Sequence, residues 1–408
     1  MRFWNDLISR RAFLKSSATG LLLTLPLPAK AAGATANHLF WVTEIPNDPY
    51  TDKVHPNHHA GIETLLRTMG DNDLKFYRSG AVRRLSGPRG LIASDDVVVI
   101  KVNGQWKYRG CTNSDVVRGI IQRILEHPDG FTGEVVVMEN GQGRGSLNCD
   151  TSQHYSDGAV HANANDETHS FSYLVDRVFG EDRVSQYLLD PIRDVFIPET
   201  DHVTDGYRKF ENVSYPCFTT AGGNRVELKR GIWTGKGHSQ KLKLINIPVL
   251  KHHDQGGSQI TASLKHVYGI LTMSDGNAPF RHYEGLGKTC GKMFAAVRTP
   301  VLNIIDAIWV CHKALSGYPA DTTVRVNQLV ASQDPVALDY WAARHILYPI
   351  DQNPNHHPDY PGIKKWLVAA KETINWRGGL YDPEGAVYVD KVVLNESNMK
   401  VHKRICNG

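Results

Sequence analysis

The chain has 408 residues, 41% of them hydrophobic and 22% charged, the balance of an ordinary globular protein. Its formal net charge is +4 at pH 7, but residues 1–31 carry five basic side chains (Arg2, Arg10, Arg11, Lys15, Lys30) against Asp6 alone. The remainder is therefore neutral, which gives no electrostatic ground for a nucleic-acid or membrane-surface partner, and no later run of 18 apolar residues offers a membrane span.

Near the N-terminus, Ser9-Arg10-Arg11-Ala12-Phe13-Leu14-Lys15 precedes an apolar stretch from Thr19 to Pro26 and the small-residue run Ala29-Lys30-Ala31-Ala32. A charged head, a short apolar segment and an A-x-A site describe a cleaved export signal, too short to cross a bilayer as a mature helix. The paired arginines resemble the bacterial twin-arginine (Tat) signal. The expectation is a Tat signal peptide over 1–31, engagement of the Tat translocase, and a periplasmic or extracellular product of about 377 residues. That length suits one α/β domain over 32–408. Six cysteines (Cys111, Cys149, Cys217, Cys290, Cys311, Cys406) lie in this part without any C-x-x-C. No iron–sulfur cluster or zinc ribbon is expected, and disulfides and buried thiols both stay open among 15 possible pairings.

Strand signals recur along the chain at 95–104 (DDVVVIKVNG), 133–145 (GEVVVMENGQGRG), 241–250 (KLKLINIPVL), 301–310 (VLNIIDAIWV) and 326–335 (VNQLVASQDP). Near-continuous Val, Ile and Leu runs suit a parallel sheet covered on both faces. Helical stretches are predicted at 114–126, about 259–271 and 336–347, the last with Asp334 as N-cap and Pro335 at the first helical position. Strands alternating with helices predict an α/β fold, a mostly parallel sheet with helices on both faces and long loop insertions.

In such sheets ligands bind beyond the carboxyl ends of the strands. Polar residues gather at those exits: Lys101 and Asn103, Glu139 and Asn140, and Lys251, His252, His253 and Asp254, with Asp306 interrupting the fourth strand. Gly256-Gly257-Ser258 suits a turn and an N-cap, so a helix starting near Ser258 would aim free N–H groups at an anion beside Lys251. Thr261 and Lys265 would share a face of that helix. His266 reads equally as a packed histidine. Neighbouring His252 and His253 should point to opposite sides of an extended segment, so one of them faces a pocket.

The VVIKVN strand, the NIPVLKHH…SLKHVYG block, the VLNIIDAI strand and the ASQDPVALDYWAARHI helix entry resemble successive motifs of the DUF362 family, a domain of unknown function. The resemblance covers roughly 95–347, leaving 348–408 as a C-terminal extension. It implies that Lys251 and His253 match a Lys-x-His motif, and that Lys265, Tyr268 and Gly269 match a Lys-Asn-x-x-Gly motif with His266 replacing Asn. Lys101 and Asn103 match Lys-Pro-Asn, with Val102 departing from it. Some family members carry ferredoxin-like cysteine motifs; this chain has none, so that chemistry is not carried over.

The expected function is an exported enzyme acting on an anionic small molecule or group. Lys251, His253, Lys265 and Glu139 are the candidate reacting residues, and Lys101, Asn103, Asn140, Thr261 and His266 the candidate substrate contacts. Lys and a helix end would clamp the anion while His253 moves protons and Glu139 or Asp306 orients it. A divalent metal on His252, His253 and Asp306 is the candidate cofactor. Lys265 as a Schiff-base nucleophile is a further reading. The alternative is a periplasmic protein that binds an oxyanion, metal or sugar acid without turnover. Gly141-Gln142-Gly143-Arg144-Gly145 departs from the dinucleotide fingerprint. The polar stretch 146–170 reads as a solvated loop or a lid, and 353–362 as a surface loop.

Overall fold

A computed structural model describes residues 37–50, 57–151, 157–180, 182–253, 259–272 and 283–406. The expected export signal lies outside them. Residues Thr35–Gly408 make one compact unit.

The main sheet is built from β1 (Asn37–Thr43), β2 (Val97–Lys101), β3 (Glu134–Glu139), β4 (Val184–Leu188), β10 (Leu242–Asn246), β13 (Leu302–Cys311), β14 (Thr323–Ser332) and β15 (Met399–Ile405). A second, antiparallel sheet of five strands runs from β5 (Gly206–Phe210) through β6 (Val213–Thr219), β7 (Arg225–Glu227) and β8 (Gly231–Trp233) to β9 (His238–Ser239). Across the main sheet the order is β15-β1-β14-β13-β10-β2-β3-β4, with β11 (Val249–His252) and β12 (Ile260–Thr261) extending β13. β4, β3, β2, β10 and β13 are mutually parallel, as the apolar runs predicted. β14 departs from the expectation: it runs antiparallel to both β13 and β1. Burial on both faces selects apolar runs whatever the strand direction, so composition alone could not tell this hairpin from a crossover.

Helices cover both faces. On one, α1 (Ala60–Asp71) and α2 (Ser114–Leu125) enclose a core with Val98, Ile100, Val135 and Val137. On the other, α3 (Ser263–Tyr268), α4 (Leu286–Lys292), α5 (Pro335–Ala342) and α6 (Pro361–Trp376) pack with Val97, Val99 and Leu244. Val98, Val99 and Ile100 are fully buried, each contributing about 1.5–3 kcal/mol of transfer free energy. In α2, Val116, Val117, Ile120, Ile121 and Ile124 supply the buried face, and the Asn113 side chain caps the first turn by accepting from Val116 N at 3.1 Å. Asp334 caps α5 as predicted, accepting from Val336 N and Ala337 N at 2.9 Å.

The helix predicted over 259–271 is shorter. Residues 260–261 pair with β11 as β12, and α3 begins only at Ser263. The Ser258 cap, with Asp254 and Gly256-Gly257, lies outside the described residues. The α3 start cannot serve an anion, because the Asp339 carboxylate already accepts from Ser263 N at 2.7 Å and from Leu264 N at 2.9 Å. Burial pushes the Asp339 carboxyl up to about 8. Asp339→Ala would strand two buried amides and should cost about 1–3 kcal/mol, read as a lower urea midpoint at unchanged slope. An unshifted midpoint would contradict this account of the α3 start.

All six cysteines are buried free thiols; Cys111 and Cys149 bring their sulfurs to 3.9 Å. Among the described residues no helix is long and apolar enough to cross a membrane.

Candidate functional site

Parallel register sets Lys101, Asn246 and Asn303 side by side at the carboxyl ends of β2 and β10 and the start of β13. Residues in register on parallel strands point to one face, so three polar side chains meet beneath α3. Asn246, fully buried, accepts from His266 Nδ1 at 2.6 Å and donates to Asn303 Oδ1 at 2.9 Å and Ser263 O at 3.1 Å. With Nδ1 carrying the proton, His266 Nε2 accepts from Lys101 Nζ at 3.1 Å. Burial and the neighbouring Lys101 hold His266 well below its ordinary pKa, so the ring is neutral.

Lys101 completes its set of acceptors with Val102 O at 2.8 Å and Glu139 Oε1 at 2.6 Å. Glu139 accepts from Lys101, from Asn140 N at 2.7 Å and from Gly104 N. Donors surround the carboxylate and acceptors surround the amine, which is the pattern of an ionised pair. Burial lowers Lys101 and raises Glu139, and their mutual attraction opposes both shifts. Glu139 therefore holds Lys101.

These groups form one wall of a cavity of about 200 Å³. It is lined by Lys101, Asn103, Glu139, Asn140, Lys251, His253, Thr261, Lys265 and His266, all expected from the sequence, and also by Gln105, Trp106, Gln142 and Arg144. Lys251, 2% exposed, donates to Gly110 O at 2.6 Å and Leu315 O at 3.0 Å and lies 5.9 Å from the centre of the Trp106 ring. Burial pulls its pKa down to about 8. Lys265 sits over the Tyr268 ring at 4.9 Å. In the amide orientation that satisfies both groups, the Gln105 oxygen accepts from Arg144 Nε and Nη2 at 3.0 and 3.1 Å. Among the described lining residues, four lysine and arginine side chains thus face the cavity with one carboxylate, itself already paired.

Two expected contacts act on the backbone. Asn103 Oδ1 accepts from Val249 N at 3.0 Å, fixing β11 against the end of β2. Asn140 Nδ2 donates to Leu271 O at 2.6 Å, tying the segment after α3 to the end of β3.

The expected metal set does not converge. Asp306 is fully buried within β13, where it accepts from Asn113 N at 2.7 Å and Ile308 N at 3.0 Å. His252 turns away from His253, as alternation predicted, and its Nδ1 meets His356 Nε2 at 2.9 Å. His356 corrects the surface-loop reading of 353–362, since it is wholly buried and reaches Asp351.

The glycine loop is also accounted for. Gly141 N donates to Asp190 Oδ2 at 2.7 Å and Gly143 N to Asp190 Oδ1, so an internal carboxylate occupies the amides that a phosphate would need. The loop serves the cavity through Gln142 and Arg144 instead. From the 146–170 stretch, buried Lys107 gathers Asp157, Asp150 O and Ala159 O; none of its described residues lines the cavity.

Sheet, helices and cavity together define an α/β protein with a cationic pocket at the carboxyl ends of parallel strands. Residues 225–344 match the model of a family described as Domain of unknown function (DUF362). Lys251, His253, Thr261, Lys265 and His266 fall inside the matched span, whereas Lys101, Asn103, Glu139 and Asn140 precede it. No curated protein and no solved structure gives a match.

Proposed function

We propose that the protein is an exported enzyme acting on a small anionic molecule held in the strand-end cavity. The observation that carries this reading is the placement of Lys101, Arg144, Lys251 and Lys265 around about 200 Å³, with Glu139 the only carboxylate among the described lining residues. A cavity smaller than the roughly 300–1,000 Å³ of drug-sized sites suits a compact ligand. Weak solvent screening there strengthens each charge contact.

Burial brings Lys251 to about 8, which lets its proton move near neutral pH. Lys265, Arg144 and the fixed Lys101 supply countercharge, and His253 at the cavity wall is the second proton carrier. His266, Asn246 and Glu139 are positioning residues. Export by the Tat route rests on the Arg10-Arg11 signal.

The test is untargeted mass spectrometry of a bacterial metabolite extract incubated with wild-type protein or with Lys251→Met. Consumption of an anionic compound by the wild type alone supports the enzyme. Retention of an anion without consumption would convert the reading to a binding protein. Consumption of neutral compounds by both proteins would sink it.

A further inference from the structure

Away from the cavity, the five-stranded sheet gathers a second set of chemically capable side chains. His202, Glu227 and His238 each offer a ligand atom, all within 4.8 Å of one another. Glu227 ends β7, His238 opens β9, and His202 belongs to the loop before β5. Adjacent ladders fix the two strand residues: Glu227 pairs with Gly231, and His238 with Trp233. Glu227 is completely buried, while the His202 and His238 side chains are 20% and 16% exposed, so the cluster is rooted in the sheet yet open to solvent.

The nitrogens converge on one carboxylate. His202 Nδ1 lies 2.5 Å from Glu227 Oε1 and His238 Nε2 2.7 Å from Oε2. Trp233 stacks on the His202 ring at 3.7 Å and 8° and flanks His238 at 5.0 Å, which fixes both ring planes. Arg208 Nη1 donates to Glu227 Oε2 at 2.5 Å, and its other nitrogens hold Pro198 O and Asp201 O, the backbone that presents His202.

We propose that His202, Glu227 and His238 bind one divalent transition-metal ion, zinc being the best fit to two imidazoles and a carboxylate. Three protein ligands with solvent at the fourth position is the arrangement zinc takes in open sites. Ligand atoms about 2.0–2.1 Å from a tetrahedral zinc lie about 3.3–3.5 Å apart, so a short imidazole–carboxylate contact would open by less than about 1 Å, and the widest separation, within 4.8 Å, would close by no more than about 1.5 Å. Arg208 would then be the outer partner that orients the ligating carboxylate. Its positive charge makes the site weaker than the same ligand set without it. Without metal, the same atoms form a closed group in which the carboxylate accepts from Arg208 and both imidazoles.

The experiment is titration of chelator-treated, refolding-checked protein with Zn²⁺ against a competing chromophoric chelator. Wild type, His202→Ala, His238→Ala and Lys251→Met are compared, with circular dichroism confirming that each is folded. One equivalent of zinc in the wild type and in Lys251→Met, with affinity reduced at least about 100-fold in both histidine variants, is the expected result. Should a histidine variant fail to fold, His202→Gln or His238→Gln takes its place. Less than a tenth of an equivalent bound by the wild type, or equal affinity in the histidine variants, overturns the proposal. Lys251→Met separates this site from the cavity, so loss of the anion reading leaves the zinc result standing.

Discussion

Glu139→Gln is expected to lower the unfolding free energy by about 3–5 kcal/mol, the largest effect among substitutions at the cavity. The carboxylate receives three donors, from Lys101 Nζ, Asn140 N and Gly104 N. An amide offers one acceptor oxygen and turns its NH₂ toward a donor, while the Lys101 ammonium stays buried without its counterion. Adding Lys101→Met to Glu139→Gln removes that stranded charge and should restore part of the loss. A double-mutant cycle by chemical denaturation checks this, with a coupling of about 2 kcal/mol or more expected. A coupling under about 0.5 kcal/mol would mean that the pair is not ionised, and the pocket's charge would have to be reassigned.

The second large effect concerns Lys251, whose pKa burial lowers from 10.5 to about 8. Between these values the unfolded chain binds more protons than the folded one, so this group makes stability climb as pH rises from about 8 to 10.5. Anion binding should move the opposite way. Below about 8 the ammonium attracts the ligand; above it affinity should fall by up to about tenfold per pH unit until the midpoint of the complex is passed. Lys251→Met should bind weakly and with no inflection near pH 8. Calorimetric titration with citrate from pH 6.5 to 9.5 gives the comparison, and a flat wild-type profile would remove Lys251 from the binding group.

Much of this site could be read before any coordinates, because its residues stand at exits of strands whose apolar runs are unmistakable. Lys101, Glu139 and Lys251 each follow or end such a run, and the cavity brings them together. Asn246 and Asn303 carry a signal of the same kind, since each interrupts an apolar strand and a polar side chain in a central strand must find a partner. Arg144 carries none, because it stands in a glycine-rich loop whose path the sequence does not define. The metal set failed for a different reason. Asp306 interrupts the apolar run of β13, and inside that strand its carboxyl is taken up by the Asn113 and Ile308 amides. The His202, Glu227 and His238 cluster has no local spacing at all; the five-stranded sheet assembles it from the 37-residue stretch His202–His238. The late start of α3 has no local signal, because the Asp339 carboxyl that receives its first amides comes from another helix, 75 residues beyond Leu264.

The central claim is that the strand-end cavity binds anions through its lysines, and one binding panel tests it most directly. Thermal melting of wild type and Lys251→Met would be followed at pH 7 and low ionic strength with inorganic phosphate, sulfate, citrate and neutral glucose. The account predicts that at least one anion raises the wild-type melting temperature in a saturable way, that Lys251→Met loses most of the increase, and that glucose changes neither. Equal shifts in the two proteins, or stabilisation by glucose alone, would contradict it.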